Sequence, residues 1–240
     1  MELANYQLLG RILYYIPYFA PIHPGRTMTT FGTLSGLVEI LNAVGVQYTA
    51  NQSLPESFRN LGDILMKTGL ILQLVVVAFF IYIALDFQRR CMNAGIKTPR
   101  VNAPLWTLYI STAIILTRTI YRIIEYFTTS EIHVGPGFDP MSLSPIVRYE
   151  WYFYVFEASL MLSNSVLWNV RHPRRYLLEN YRIYLAQDGI TELEGPGWKD
   201  KRPWIVTALD PFGWCEPKKT KERPFWETDG YANILMWPRT

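Results

Sequence analysis

Leu105–Phe127 reads LWTLYISTAIILTRTIYRIIEYF, an apolar stretch interrupted by Arg118, Tyr121, Arg122 and Glu125. A helix rising 1.5 Å per residue needs roughly 20 residues to cross ~30 Å of hydrocarbon, and this stretch has them. A charge near the bilayer centre costs about 2.5 to 3.5 kcal/mol on the insertion scale, so these side chains must turn toward partners or a wet interior. The intervals from 118 to 122 and from 122 to 125 put all three charges on one helical stripe. That stripe is the leading functional-site candidate.

Working outward, Leu61–Phe87 and roughly Tyr149–Val170 are runs of the same kind. Thr27–Ala50 carries only Glu39 and is rich in the Gly, Ser and Thr that let helices approach closely, so it reads as a fourth span. Ala4–Ile22 holds Arg11, is closed by Pro17 and Pro21, and reads as the fifth. The expected fold is therefore all-α: a polytopic transmembrane helix bundle of about five spans over residues 1–173. An irregular, polar cytosolic tail over 174–240 follows, rich in charge, Pro and Trp and disordered in character. The mean hydropathy of only +0.05 is an average of these two parts.

Basic loops stay cytosolic. Arg89, Arg90, Lys97 and Arg100 cluster between two spans, and Arg171, Arg174 and Arg175 open the tail, whereas Thr128–Arg148 has one basic residue. The five spans then thread with the N-terminus outside, the loops near Asn51 and Gly135 outside, and the C-terminus in the cytosol. Asn51-Gln52-Ser53 is a glycosylation sequon in an outside loop. Tyr14, Tyr15, Trp106, Tyr109, Trp151, Tyr152 and Trp168 are expected in interfacial belts.

The net charge of +3 has no groove-like cluster, so no nucleic acid is implied. Cys91 and Cys215 fall on the reducing side and predict no disulfide. His23, His133 and His172 lack metal-ligand spacing, so no metal or cofactor is expected. No phosphate loop is present in the sequence to couple the chain to ATP, and no catalytic residues are assigned; the chain does not read as an enzyme.

A second polar stripe lies on the last span. Glu150, Tyr154, Glu157, Met161 and Asn164 recur at i, i+4, i+7, i+11 and i+14. Neighbouring antiparallel helices would let Arg118 or Arg122 pair with Glu157. Arg11, Glu39 with Asn42, and Lys67 with Gln73 are further candidates to line the same interior.

The residues Arg118-Thr-Ile-Tyr121-Arg122-Ile-Ile-Glu125-Tyr126, Glu150-Trp151, Tyr154-Val-Phe156-Glu157, Met161 and Asn169-Val-Arg-His172-Pro173 resemble the fungal lipid-translocating exporter family, also called resistance-to-aminocholesterol-like proteins. Leu8-Leu9-Gly10-Arg11 resembles its early helix, and the resemblance runs from Ala4 to about Pro173. It implies a seven-helix membrane protein with an outside N-terminus and a cytosolic C-terminus, so this chain resembles a member lacking its first two helices. It also implies export or flipping of amphipathic lipids such as sphingoid bases, with resistance to toxic lipophiles, in the plasma membrane or an endomembrane. The expected translocation residues are Arg118, Tyr121, Arg122, Glu125, Glu150, Tyr154 and Glu157. Salt bridges that only fix helix packing are the other reading of the same charges. A seven-helix-type receptor or sensor, and an inactive truncated family member, are the rival functions.

Overall fold

The computed structural model describes residues 2–51, 53–96, 98–130, 145–172, 176, 180, 182–186, 192–195 and 203–210. Gln52 of the sequon, Lys97, Gly135, His133, Pro173–Arg175 and Cys215 lie outside them. The elements in chain order are α1 (Glu2–Tyr15), a 3₁₀ turn at Pro17–Phe19, α2 (Pro24–Ala50), α3 (Glu56–Asn93) and α4 (Pro99–Ser130). Then come α5 (Pro145–Arg148), α6 (Trp151–Phe153), a π-helical turn (Tyr154–Ser159), α7 (Leu160–Val170), β1 (Ile183–Leu185), β2 (Glu192–Glu194) and α8 (Trp204–Leu209). Among the described residues the architecture is all-α apart from one antiparallel pair, in which Tyr184 faces Leu193.

Helix boundaries follow local chemistry. Pro24 and Pro99 occupy the first positions of α2 and α4, where a missing N–H costs nothing and φ is already helical. At the end of α3, Gly95 adopts a φ of 75°, and the N–H groups of Ile96 and Gly95 donate to Cys91 O and Met92 O, both at 3.0 Å. These are the two bonds of a Schellman stop, which needs a residue without Cβ at that φ. Ile96, buried beyond it, completes the hydrophobic contact.

Helix α3 has 38 residues and α4 has 32, lengths of roughly 57 and 48 Å at 1.5 Å per residue. Both overshoot the apolar runs read from sequence, because their polar ends remain helical beyond the hydrocarbon thickness. Among the described residues, α2 and α3 are long and apolar enough to cross a membrane. Only 28% and 39% of their most apolar windows are buried, so they turn most of that surface outward, unlike the core helix of a soluble protein. Leu37, Ile40 and Val46 on α2, and Ile64, Ile71 and Val75 on α3, are exposed. The threonines of α4 bond back to their own helix, as in Thr117 to Ala113 O and Thr119 to Ile115 O at 2.9 Å. Such bonds satisfy hydroxyls where no water is available.

The chain divides into two compact units. The first holds residues 1–33, 81–109 and 171–240. In it α1 is largely buried, and Tyr6 stacks on Phe31 with ring centres 5.1 Å apart. The tail, expected to be irregular, contributes β1 and β2 here. Tyr184 and Leu185 are buried, Tyr184 meets Tyr18 edge-on, and the Glu192 carboxylate accepts from the Tyr15 hydroxyl at 2.8 Å and pairs with Arg100. Tyr109 donates to Gln88 Oε1 at 2.7 Å. Tyr15 and Tyr109 thus have specific hydrogen-bond partners and are not simply belt residues; Trp106 is exposed, as a belt residue would be.

The second unit holds residues 34–80 and 110–170. Its α2 and α3 approach backbone to backbone at Gly45 and Gly62. A Cβ on Gly62 would sit 2.9 Å from Gly45 O and 2.8 Å from both Thr49 Oγ1 and Tyr48 Cβ. Glu39, expected inside, is exposed, because its position on α2 lies away from this glycine contact. Asn42 does point inward, and a Cβ on Gly69 would meet its Oδ1 at 2.6 Å.

Gly62→Ala should therefore lower the thermal stability of the purified protein in detergent, by about 1 to 3 kcal/mol of overpacking, since backbone cannot move aside. Gly36→Ala, where an added methyl meets nothing within 4 Å, should cause no loss. Equal melting temperatures for the two variants would contradict the close α2–α3 approach.

Candidate functional site

The charged stripe of α4 lies in the second unit, facing the π-helical turn and α7. Arg118 donates to Glu157 Oε1 from Nε at 2.9 Å and from Nη2 at 2.5 Å. Arg122 lies between two carboxylates, its Nη1 at 3.7 Å from Glu125 Oε2 and its Nε at 4.0 Å from Glu157 Oε2. Neither distance is a hydrogen bond. Glu157 Oε2 is buried and makes no hydrogen bond. Tyr121 donates to Glu125 Oε1 at 3.3 Å and stacks on Phe156 at 5.4 Å.

The second stripe is divided by the π-helical turn. Each such turn, bonded i to i+5, takes roughly one residue more than an α turn, so a stripe counted at 3.6 residues per turn cannot run straight through it. Glu157, within the turn, and Asn164, on α7, both meet α4. Asn164 is fully buried and accepts from Ser111 Oγ at 2.8 Å, which in turn accepts from Trp168 Nε1 at 3.1 Å. Trp168, expected in an interfacial belt, is part of this network. Toward α6, the rings of Phe156 and Tyr152 stack at 6.3 Å, while Tyr154 is 61% exposed.

Tyr154 and Glu150 instead join Tyr121, Glu125, Tyr149 and Phe153, with Thr129 and Ile146, around an open cavity of about 270 Å³. The seven sequence-predicted residues are thus split. Tyr121, Glu125, Glu150 and Tyr154 line the cavity; Arg118 and Glu157 form the ion pair; Arg122 stands between Glu125 and Glu157. Among the described residues, the lining contains two carboxylates and no Lys or Arg.

Lys67, read from the sequence beside Gln73, belongs instead to a polar cluster with Asp63 and Tyr126. Asp63 accepts from the Tyr126 hydroxyl at 3.0 Å and pairs with Lys67 at 2.8 Å, and the Lys67 ammonium lies 5.5 Å from the centre of the Phe127 ring. The i, i+4 spacing of Asp63 and Lys67 is visible in the sequence, but the Tyr126 partner is 63 positions away. Among the described residues no group of three or more His, Cys, Asp and Glu could hold a metal ion.

Residues 1–180 match the family described as RTA1 like protein. The chain belongs to the RTA1-like family. This is a family of helical membrane proteins, which agrees with the outward apolar surface of α2 and α3. A lipid-translocating exporter-like protein RTA1 from Leptosphaeria maculans is 46% identical over 214 residues, which cover 88% of this chain and 41% of that protein. One of the same name from Ajellomyces capsulatus is 28% identical over 224 residues, 87% of this chain and 65% of that protein. The probable lipid transporter atnI of Emericella nidulans is 25% identical over 191 residues, 72% of this chain and 46% of the relative. The RTA1-like chain therefore spans between 41% and 65% of the length of these relatives. All three are named for lipid movement and none as an enzyme. No solved structure matches.

Arg118→Ala strands Glu157, whose side chain is only 15% exposed. Breaking a fully buried pair from one side costs on the order of 3 to 5 kcal/mol, and this part-buried pair should cost less than that, whereas replacing both members by apolar residues is milder still. Arg118→Ala should therefore reduce abundance and melting temperature well beyond the exposed-site control Arg59→Ala. The double change Arg118→Met with Glu157→Met should recover much of the loss, and strictly additive losses would exclude the direct pair.

Proposed function

We propose that this RTA1-like protein moves amphipathic lipids, sphingoid bases among them, between the leaflets of the plasma membrane or an endomembrane, and so confers resistance to toxic lipophiles. The observation that carries this reading is the chemistry of the cavity. Glu125 and Glu150 supply negative charge, and the rings of Tyr121, Tyr149, Phe153 and Tyr154 supply faces that attract a cation and apolar edges that accept a chain. An ammonium headgroup has no favourable place in hydrocarbon, but here it meets carboxylates on a helical membrane protein. The lipid-transport names of the fungal relatives support the same assignment. The activity of the longer relatives is carried to this chain as part of the proposal.

The threading we propose has the C-terminus and the α3–α4 connection in the cytosol, on the strength of the Lys and Arg bias. The glutamates act as headgroup ligands, and Arg118 holds Glu157 in place beside them. Movement of the lipid consists of exchanging a watery carboxylate site between the two faces, with no covalent step.

Export of a labelled sphingoid base, compared at matched surface abundance, tests the assignment. Glu125→Gln and Glu150→Gln keep size and remove charge. Each should lower export about tenfold, the worth of one charge-assisted hydrogen bond. Export equal to wild type in both variants would reject the carboxylate site, and wild-type export no higher than in empty cells would reject transport. Threading is tested by labelling with a membrane-impermeant maleimide in a Cys215→Ser background. Cys91 is buried and its thiol is pushed up to about 12, so it stays silent. Ser53→Cys should react in intact cells and Asn93→Cys only after permeabilisation; the reverse pattern would invert the topology.

A further inference from the structure

We infer that Arg122 is an internal competitor for the cavity: it neutralises Glu125 when the site is empty and transfers to Glu157 when an alkylammonium takes Glu125. This rests on the cation reading of the cavity given above.

Three observations meet at this residue. Arg122 is 3.7 Å from Glu125 and 4.0 Å from Glu157, with no hydrogen bond to either, and its side chain is 47% exposed. A guanidinium committed to one carboxylate sits within hydrogen-bonding distance of it, about 2.7 to 2.9 Å in a bidentate fork, and Arg118 reaches Glu157 Oε1 with two nitrogens. Arg122 does neither. The second observation is the vacancy on its other side. Arg118 uses Oε1 of Glu157 twice and leaves Oε2 buried without a hydrogen bond, a costly arrangement that a small advance of Arg122 would relieve. The third is that Glu125 belongs to both groups. It carries the loose contact to Arg122 and also lines the cavity with Glu150 and the aromatic rings.

An entering ammonium and Arg122 therefore compete for one carboxylate. When the ammonium wins, the displaced guanidinium has a buried oxygen waiting at 4.0 Å rather than being left uncompensated. Release reverses the exchange. Other charges among the described residues around the cavity have their own places. Arg118 is fixed on Glu157, Glu150 lines the cavity, and the Arg148 guanidinium lies over the Tyr149 ring at 5.2 Å from its centre, outside the lining.

The test is equilibrium binding of dodecylamine, protonated at pH 7, to the purified full chain in lipid nanodiscs, with dodecanol as the uncharged control. If Arg122 holds Glu125 about nine-tenths of the time, apparent affinity is reduced by that fraction, so Arg122→Gln should bind dodecylammonium about tenfold more tightly than wild type. Arg122→Lys keeps a competing charge and should stay within about twofold of wild type. Arg148→Gln removes a nearby charge that is not shared between carboxylates, and should also change affinity by about twofold at most. Arg122→Gln binding no tighter than wild type would overturn the exchange while leaving the cavity reading intact. An equal gain for Arg148→Gln would overturn it too, by showing only a general field effect, and so would an equal gain for Arg122→Lys. Failure of every variant to prefer dodecylamine over dodecanol would reject the cation site itself.

Discussion

The ion pair between Arg118 and Glu157 is the contact on which the site depends. A carboxylate only 15% exposed in a helical membrane domain must be neutralised where it stands, and the guanidinium of the facing helix does so with two nitrogens on one oxygen. Apolar residues of similar size would stabilise that contact as well or better. What the pair adds is a single register: two long helices sliding past each other by one turn would separate the charges. With α4 and the π-helical turn locked there, Tyr121 comes to stack on Phe156 and Glu125 comes to the cavity rim. The Ser111, Asn164 and Trp168 network holds the same two segments farther along.

The sequence made α4 legible because its charges recur at the α-helical period and the helix has no internal break at them. The same arithmetic misplaced half of the other stripe. Met161 and Asn164 lie on the α-helical part, but Tyr154 and Glu157 fall in Tyr154–Ser159, which is π-helical, and no residue type in Tyr-Val-Phe-Glu-Ala-Ser announces that wider turn. Periodicity places Glu150 and Tyr154 on one stripe with Glu157, whereas they line the cavity and Glu157 pairs with Arg118. The aromatic residues show a related limit. A tyrosine hydroxyl or an indole N–H near a span end reads as interfacial from composition alone, yet Tyr15, Tyr109 and Trp168 each have a partner fixed by tertiary structure.

Close helix approach was half visible. The Gly, Ser and Thr content of Thr27–Ala50 points to a surface that another backbone can reach, but the partner Gly62 lies on α3 next to Asp63, with no run of small residues around it to mark it. Glu39 shows the other side of the same geometry. Once Gly45 faces α3, a glutamate six positions earlier is carried away from that contact and ends exposed. The tail was least legible. Its charges and prolines suggest a solvated coil, whereas Tyr184 and Leu185 are buried and Glu192 bonds Tyr15 and pairs with Arg100. A three-residue strand carries too little periodicity to be read, and its stability comes from partners far away in sequence.

The loose position of Arg122 follows from the tight position of Arg118. One carboxylate cannot give its best geometry to two guanidinium groups four residues apart on the same helix, because their stems rise ~6 Å relative to each other. Arg118 takes the near oxygen of Glu157, and Arg122, one turn on, is left facing the far oxygen and Glu125 at distances too long for a hydrogen bond. The i, i+4 pair of arginines read first in the sequence is therefore held in two different ways: the first sits on Glu157 through two hydrogen bonds, and the second stands between Glu125 and Glu157 with none.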